Sequence, residues 1–117
     1  MKNKNKLKKR KQFNWTFKNG KSVHSKNIIL VFNESRGKDY KIGFSVTKKV
    51  GKAVVRNKIK RRFREIITHM QHNIVNHHTI IFVAKPSIVD LSFWDIQAEV
   101  EALLKKSNLF KEIWKSF

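Results

Sequence analysis

The 117-residue chain contains no cysteine, one proline, four glycines and only 8 acidic side chains against 27 lysines and arginines. The missing cysteine excludes a disulfide scaffold, cysteine-ligated zinc and a thiol nucleophile. No apolar run approaches the roughly 20 residues that cross a bilayer, so no transmembrane helix is expected. The basic N-terminus lacks the apolar stretch of a secretory signal, and a cytoplasmic site is the expectation. The shortage of carboxylates also bears on chemistry. An autonomous nuclease needs metal-binding carboxylates or a histidine acid/base pair. Before residue 65 only Glu34 and Asp39 occur, both in a stretch of turn composition. Glu99 and Glu101 are two apart and would project about 200° apart on a helix. His69, His72, His77 and His78 follow no ligand spacing and read as surface residues. No catalytic residue and no metal site is therefore assigned to this chain.

What the chain has is positive charge, unevenly placed. The net charge is +19. Residues 1–64 carry 22 basic and 2 acidic side chains, whereas residues 65–117 carry 5 and 6. An excess confined to one half points to a polyanionic partner, with nucleic acid first and an anionic membrane surface second. With 40% apolar residues the chain has enough for a core, and its length fits one domain over 1–117. Residues 1–8 open a run of seven cations ending at Lys11. Such like charges repel, so 1–8 are expected as a mobile basic arm.

Periodicity orders the rest. Phe13 and Phe17 lie four apart before Asn19 and Gly20, which predicts a short helix over 9–18. Strands are predicted at 22–24, 27–32 and 41–47, the last with Ile42, Phe44 and Val46 on one face. Val55, Ile59, Phe63, Ile66 and Met70 fall within about 80° of arc, which predicts a helix over 53–70. The apolar run 79–84 reads as a central strand ended by Pro86. Ser92 and Asp95 resemble a capping box, with a helical stripe behind it at Phe93, Ile96, Val100, Leu103 and Leu104. Phe110, Ile113, Trp114 and Phe117 predict a final helix. The element order is αβββαβαα, an α+β domain with one sheet.

The most informative stretch is the second helix and the turn before it. From Lys48 to Arg64 there are nine basic residues in seventeen and no acid. Asn57, Lys60, Arg61 and Arg64 share about 100° of arc facing away from the apolar stripe, with Arg56 at the border. Cations crowd the N-terminal end, opposite to what the helix dipole favours. A helix built this way gains from an external anion, and phosphates bind well at helix N-termini. Arg56, Arg61 and Arg64 are the sharper markers, because a guanidinium fork pairs with two phosphate oxygens at once.

The run Lys48-Lys49-x-Gly51-x-Ala53-Val54-x-Arg56-Asn57-x-x-Lys60-Arg61-x-x-Arg64 resembles the signature of the bacterial ribonuclease P protein subunit. Leu7, Lys8, Lys9, Phe13, Phe17, Lys18, Gly20, Ser22 and Val23 extend the similarity upstream. Residues 42–49 and 80–86 extend it to the neighbouring strands. The resemblance implies an αβββαβαα two-layer sandwich with a left-handed β-α-β crossover through the basic helix, a fold shared with some ribosomal-protein domains. It implies a non-catalytic subunit of a ribonucleoprotein endonuclease that removes the 5′ leader of precursor tRNA. The RNA subunit would carry the active site and most of the Mg²⁺. By position, Arg56, Asn57, Lys60, Arg61 and Arg64 would bind that RNA. Phe13, Phe17, Thr47, Lys48 and Lys49 would bind the leader, and no protein oligomer is required. Two positions depart from the family pattern. Val31 stands where many relatives have a sheet aromatic, and Ala84 where many have Arg, which makes weaker or shifted leader binding the expectation.

Three other readings are weighed against it. The same fold and charge would serve a ribosomal-protein-like structural RNA binder. An RRM-type module is suggested by residues 41–46, but its second and third stacking aromatics are missing. A membrane-surface helix fits poorly, since the stripe of 55–70 is needed by the sheet and holds no tryptophan.

Overall fold

Four strands form one mixed sheet in the computed structural model, which describes residues 1–112. They are β1 (Lys21–His24), β2 (Ile28–Glu34), β3 (Lys41–Ser45) and β4 (His78–Ala84), in the order β1-β2-β4-β3. The β1/β2 and β2/β4 pairs are antiparallel and β3/β4 is parallel. A parallel neighbour needs a crossover. Here it is made by the basic helix α2 (Ala53–His69), between the short helix α1 (Arg10–Asn19) and α3 (Phe93–Lys106). Single 3₁₀ turns occur at Asn3–Asn5, Gln71–Asn73 and Pro86–Asp90.

Strand alternation sends Leu30, Ile42, Ile80 and Phe82 to one face, where all are buried. α2 and α3 close that face with Ile59, Phe63, Ile66 and Ile67, and with Ile96, Val100, Leu103 and Leu104. The Phe63 ring stacks against Phe44 at 5.2 Å and Phe82 at 5.9 Å between centroids, which fixes α2 to the sheet. Val31, Ile81 and Gly43 share one register row on the opposite face. There Leu7 and the half-buried Phe13 cover Val31 and Ile81. α1 thus adds a partial layer to the far side of the main two-layer sandwich. A Cβ at position 43 would overlap the Phe13 ring, so the seat of that ring depends on glycine.

The helix ends differ in a way that matters for function. α3 has the predicted capping box: the Asp95 N–H donates to Ser92 Oγ at 3.1 Å and the Ser92 N–H to Asp95 Oδ2 at 3.4 Å. α1 and α2 begin at Lys9 and Lys52 with no side-chain cap and no acid in the first turn. Their first N–H groups and positive dipole ends are left to solvent or to an anion.

Three expectations are corrected. Residues 1–8 are laid down on the domain instead of hanging free. The Met1 ammonium donates to Thr68 Oγ1 at 2.8 Å, and the Leu7 N–H donates to the Ile42 carbonyl at 2.9 Å. Asn5, which is buried, donates to the Tyr40 carbonyl at 2.8 Å. The segment runs beside β3, an edge strand with unpaired backbone groups, and Lys6 bridges to Ile42 there. Burial pushes the Tyr40 hydroxyl above its ordinary pKa, with the Asp39 charge adding to the effect, so Tyr40 stays neutral beneath this segment. β3 ends at Ser45, so Thr47, Lys48 and Lys49 lie in a turn closed by the Val50 N–H on the Thr47 carbonyl at 3.0 Å. Finally, Phe110 forms an isolated bridge with Ile74 and is not helical. Ile113, Trp114 and Phe117 of the predicted last helix lie outside the described residues.

Candidate nucleic-acid interface

The apolar stripe that presses α2 on the sheet also decides what it shows to solvent. With Ile59, Phe63 and Ile66 inward, Asn57, Arg61 and Arg64 are exposed, while Arg56 and Lys60 are half-buried. The Arg56 Nε–H donates to the Gly51 carbonyl at 3.2 Å, holding its guanidinium against the turn that leads into the helix. Arg62 points elsewhere: its Nη1 donates to the Leu91 carbonyl at 3.1 Å. Of the three consecutive basic residues 60–62, then, only Lys60 and Arg61 are free of the packing against the α3 side.

The fold also brings together two groups that the sequence keeps apart. Lys60 and Arg64, one turn apart on α2, line a cavity of about 230 Å³ with Lys6, Lys8, Phe13 and Phe44. The N-terminal segment and α1 therefore meet the basic helix around the β3 edge. Lys6 and Lys8 are interface candidates that sequence reasoning missed, because their charge density read as a loose arm. The only ion pair among the described residues is Lys4 with Asp39 at 3.5 Å. No cation of α2 is held in an ion pair among the described residues, which leaves their field available to an external anion.

Of the five residues expected to bind a leader, only Phe13 joins the α2 cations in that cavity. Phe17 is 45% exposed on α1, and Thr47, Lys48 and Lys49 are exposed in their turn. Ile29 and Val83 lie half-buried on the α1 side of the sheet beside buried Val31. Val31 thus fills the second core, where an aromatic ring would have to displace its neighbours. Ala84 is buried on the other face, and Lys85 Nζ donates to the Ser25 carbonyl at 2.6 Å. Ala84 therefore offers no side chain to the α1 side at the end of β4. Trp15, 63% exposed on α1, was also missed, because the four-residue spacing of the phenylalanines passes over it.

Glu99 and three of the histidines have local duties. Glu99 accepts from Ser25 Oγ at 2.7 Å, from the Asn27 N–H at 3.1 Å and from Asn27 Nδ2 at 2.8 Å, tying α3 to the β1–β2 turn. His69 meets Gln97 Oε1 at 3.2 Å, while His77 and His78 bond the carbonyls of Gly37 and Asn76. Among the described residues no helix is long and apolar enough to cross a membrane.

Comparison with known proteins agrees with this geometry. Residues 1–108 match the family model described as Ribonuclease P. The chain is 35% identical over 107 residues to the ribonuclease P protein component of Caldanaerobacter subterraneus, covering 92% of each chain. It is 34% identical over 113 residues to that of Bacillus velezensis, covering 96% of this chain and 97% of the other. The RNase P protein structure from Staphylococcus aureus superposes with a TM-score of 0.85 at 31% identity, covering 92% of this chain and 98% of that one. The RNase P protein from Thermotoga maritima gives a TM-score of 0.80 at 28% identity, covering 86% and 96%.

Proposed function

Because the chain belongs to the bacterial ribonuclease P protein family, we propose that it binds the catalytic RNA of ribonuclease P through α2 and holds the 5′ leader of precursor tRNA beside α1. The observation that carries this reading is α2 itself: an uncapped helix with no acid in its first turn and Arg61 and Arg64 exposed beside Asn57. Guanidinium forks suit phosphate oxygens, and an uncapped N-terminus suits the same anion. Arg56 and Lys60 complete the RNA-facing set from half-buried positions at its border.

In this reading the protein contributes binding, and the RNA contributes the chemistry. Mg²⁺ would be bound mainly by the RNA subunit, and the carboxylates of Glu99, Asp95 and Asp39 already have partners within the fold. Lowering repulsion between RNA phosphates is how the cations of this chain would favour Mg²⁺ binding there. We assign the leader to Phe17, Phe13 and the cations Lys48 and Lys49 with Thr47, since unpaired bases stack on aromatic rings beside positive charge. The site of action is the cytoplasm, where precursor tRNA is made.

The leader assignment has a direct test. Phe17→Ala in the holoenzyme is expected to leave assembly intact and to reduce preference for precursor over mature tRNA by about 5- to 140-fold, the loss of one base stack. Equilibrium binding of both tRNAs measures it. Undiminished discrimination would remove Phe17 from the leader path.

A further inference from the structure

We propose that Trp15 is the stacking platform for one unpaired base of the catalytic RNA, in a cleft on the side of α1 away from Phe13 and Phe17. This rests on the functional reading above but concerns a different surface. Residues 13 and 15 are two apart, so Trp15 projects about 200° from Phe13. Its indole is 63% exposed. It forms one wall of a cleft of about 700 Å³ between α1 and the end of β2, where Asn33, Ser35 and Arg36 form the other wall. That volume is ample for a nucleotide, and the lining chemistry fits one. An indole face offers stacking to any base, and Lys11 and Arg36 offer cations to a phosphate. Gln12 and Asn33 carry amides that read base edges. Glu34 opposes the phosphate, leaving two cations against one carboxylate.

Continuity points to the RNA subunit as the source of the base. The cavity at Lys60 and Arg64 shares Lys6 and Lys8 with a neighbouring depression that also holds Lys4, Lys9 and Lys41. That depression shares Gln12 with the Trp15 cleft. A basic track thus leads from the α2 face around the start of α1 to Trp15. One strand of the RNA held by α2 follows that track and ends with a base on the indole.

Tryptophan occurs three times, at 15, 94 and 114, so Trp94→Phe with Trp114→Phe leaves Trp15 as the sole indole emitter. In that background, addition of ribonuclease P RNA is expected to quench the emission, and a short unpaired oligoadenylate to quench it at higher concentration. Trp15→Ala is expected to weaken RNA-subunit binding about 5- to 140-fold, Trp15→Phe to restore most of it, and the salt slope of binding to stay unchanged. Wild-type affinity of Trp15→Ala for the RNA would overturn the proposal and leave the family reading intact. A defect confined to leader-bearing precursor in the assembled holoenzyme would also overturn it, reassigning the indole to the leader. If the chain failed to bind the RNA subunit at all, the family reading would fall. Absence of oligoadenylate quenching would then remove the stacking site as well.

Discussion

Replacing Arg61 and Arg64 together by alanine is expected to lower affinity for ribonuclease P RNA by roughly two to four orders of magnitude. A hydrogen-bonded contact to a charged group contributes about 1.5–3 kcal/mol, and the two exposed guanidiniums form no ion pair among the described residues. The loss should also appear as a shallower salt dependence, by about 0.7–0.9 in log–log slope for each phosphate contact removed. The free protein should fold as before. Neither side chain supports the core, and removing two like charges from a +19 chain lessens self-repulsion. Titration of the double variant into the RNA at several salt concentrations measures both effects. Wild-type affinity and slope would take α2 out of the interface.

The second large effect is on stability. Phe63→Ala should cost about 3–5 kcal/mol, because the ring is fully buried and stacked on Phe44 and Phe82. Native domains have only about 5–15 kcal/mol in hand, so much of the stability goes with that ring. In a domain of this size the melting temperature should fall by roughly 10–25 °C. The loss falls on the contact that positions Arg61 and Arg64, two residues before and one residue after Phe63, so the variant should also bind RNA less well. Saturating RNA should restore part of the melting temperature, since a ligand that binds only the folded state stabilises it. A melting temperature equal to wild type would show that α2 is not anchored by this stack.

The legible parts of the sequence were those with local signals. The stripe from Val55 to Met70 and the acid-free face opposite it placed α2, and the Ser92–Asp95 pair placed the start of α3 to the residue. The parts that were not legible depend on distant partners. Leu7 and Asn5 sit among cations that read as a loose arm, yet an edge strand and the residue before it, 35 residues away, supply the Ile42 and Tyr40 carbonyls that hold them. Gly43 read as one more strand residue, while its role is to admit the Phe13 ring from α1. Phe110 fits a helical spacing, but the Val75 N–H donates to the Leu109 carbonyl at 2.9 Å and Phe110 pairs with Ile74, so the chain leaves α3 extended. Asn108 makes that turn in the left-handed region, at φ 58°. The site followed the same rule. Its residue types were visible on one helix, and their meeting with Lys6, Lys8 and Phe13 came only from the fold.

The central claim is that the cations of this chain serve a catalytic RNA. The most direct test adds the purified protein to a bacterial ribonuclease P RNA at Mg²⁺ too low for the RNA alone and follows release of the 5′ leader from precursor tRNA. Rescue of cleavage at the mature 5′ end, lost with the Arg61→Ala, Arg64→Ala double variant, is the predicted result. No rescue by protein that is folded and bound to the RNA would contradict the account, as would leader cleavage by the protein with no RNA subunit present.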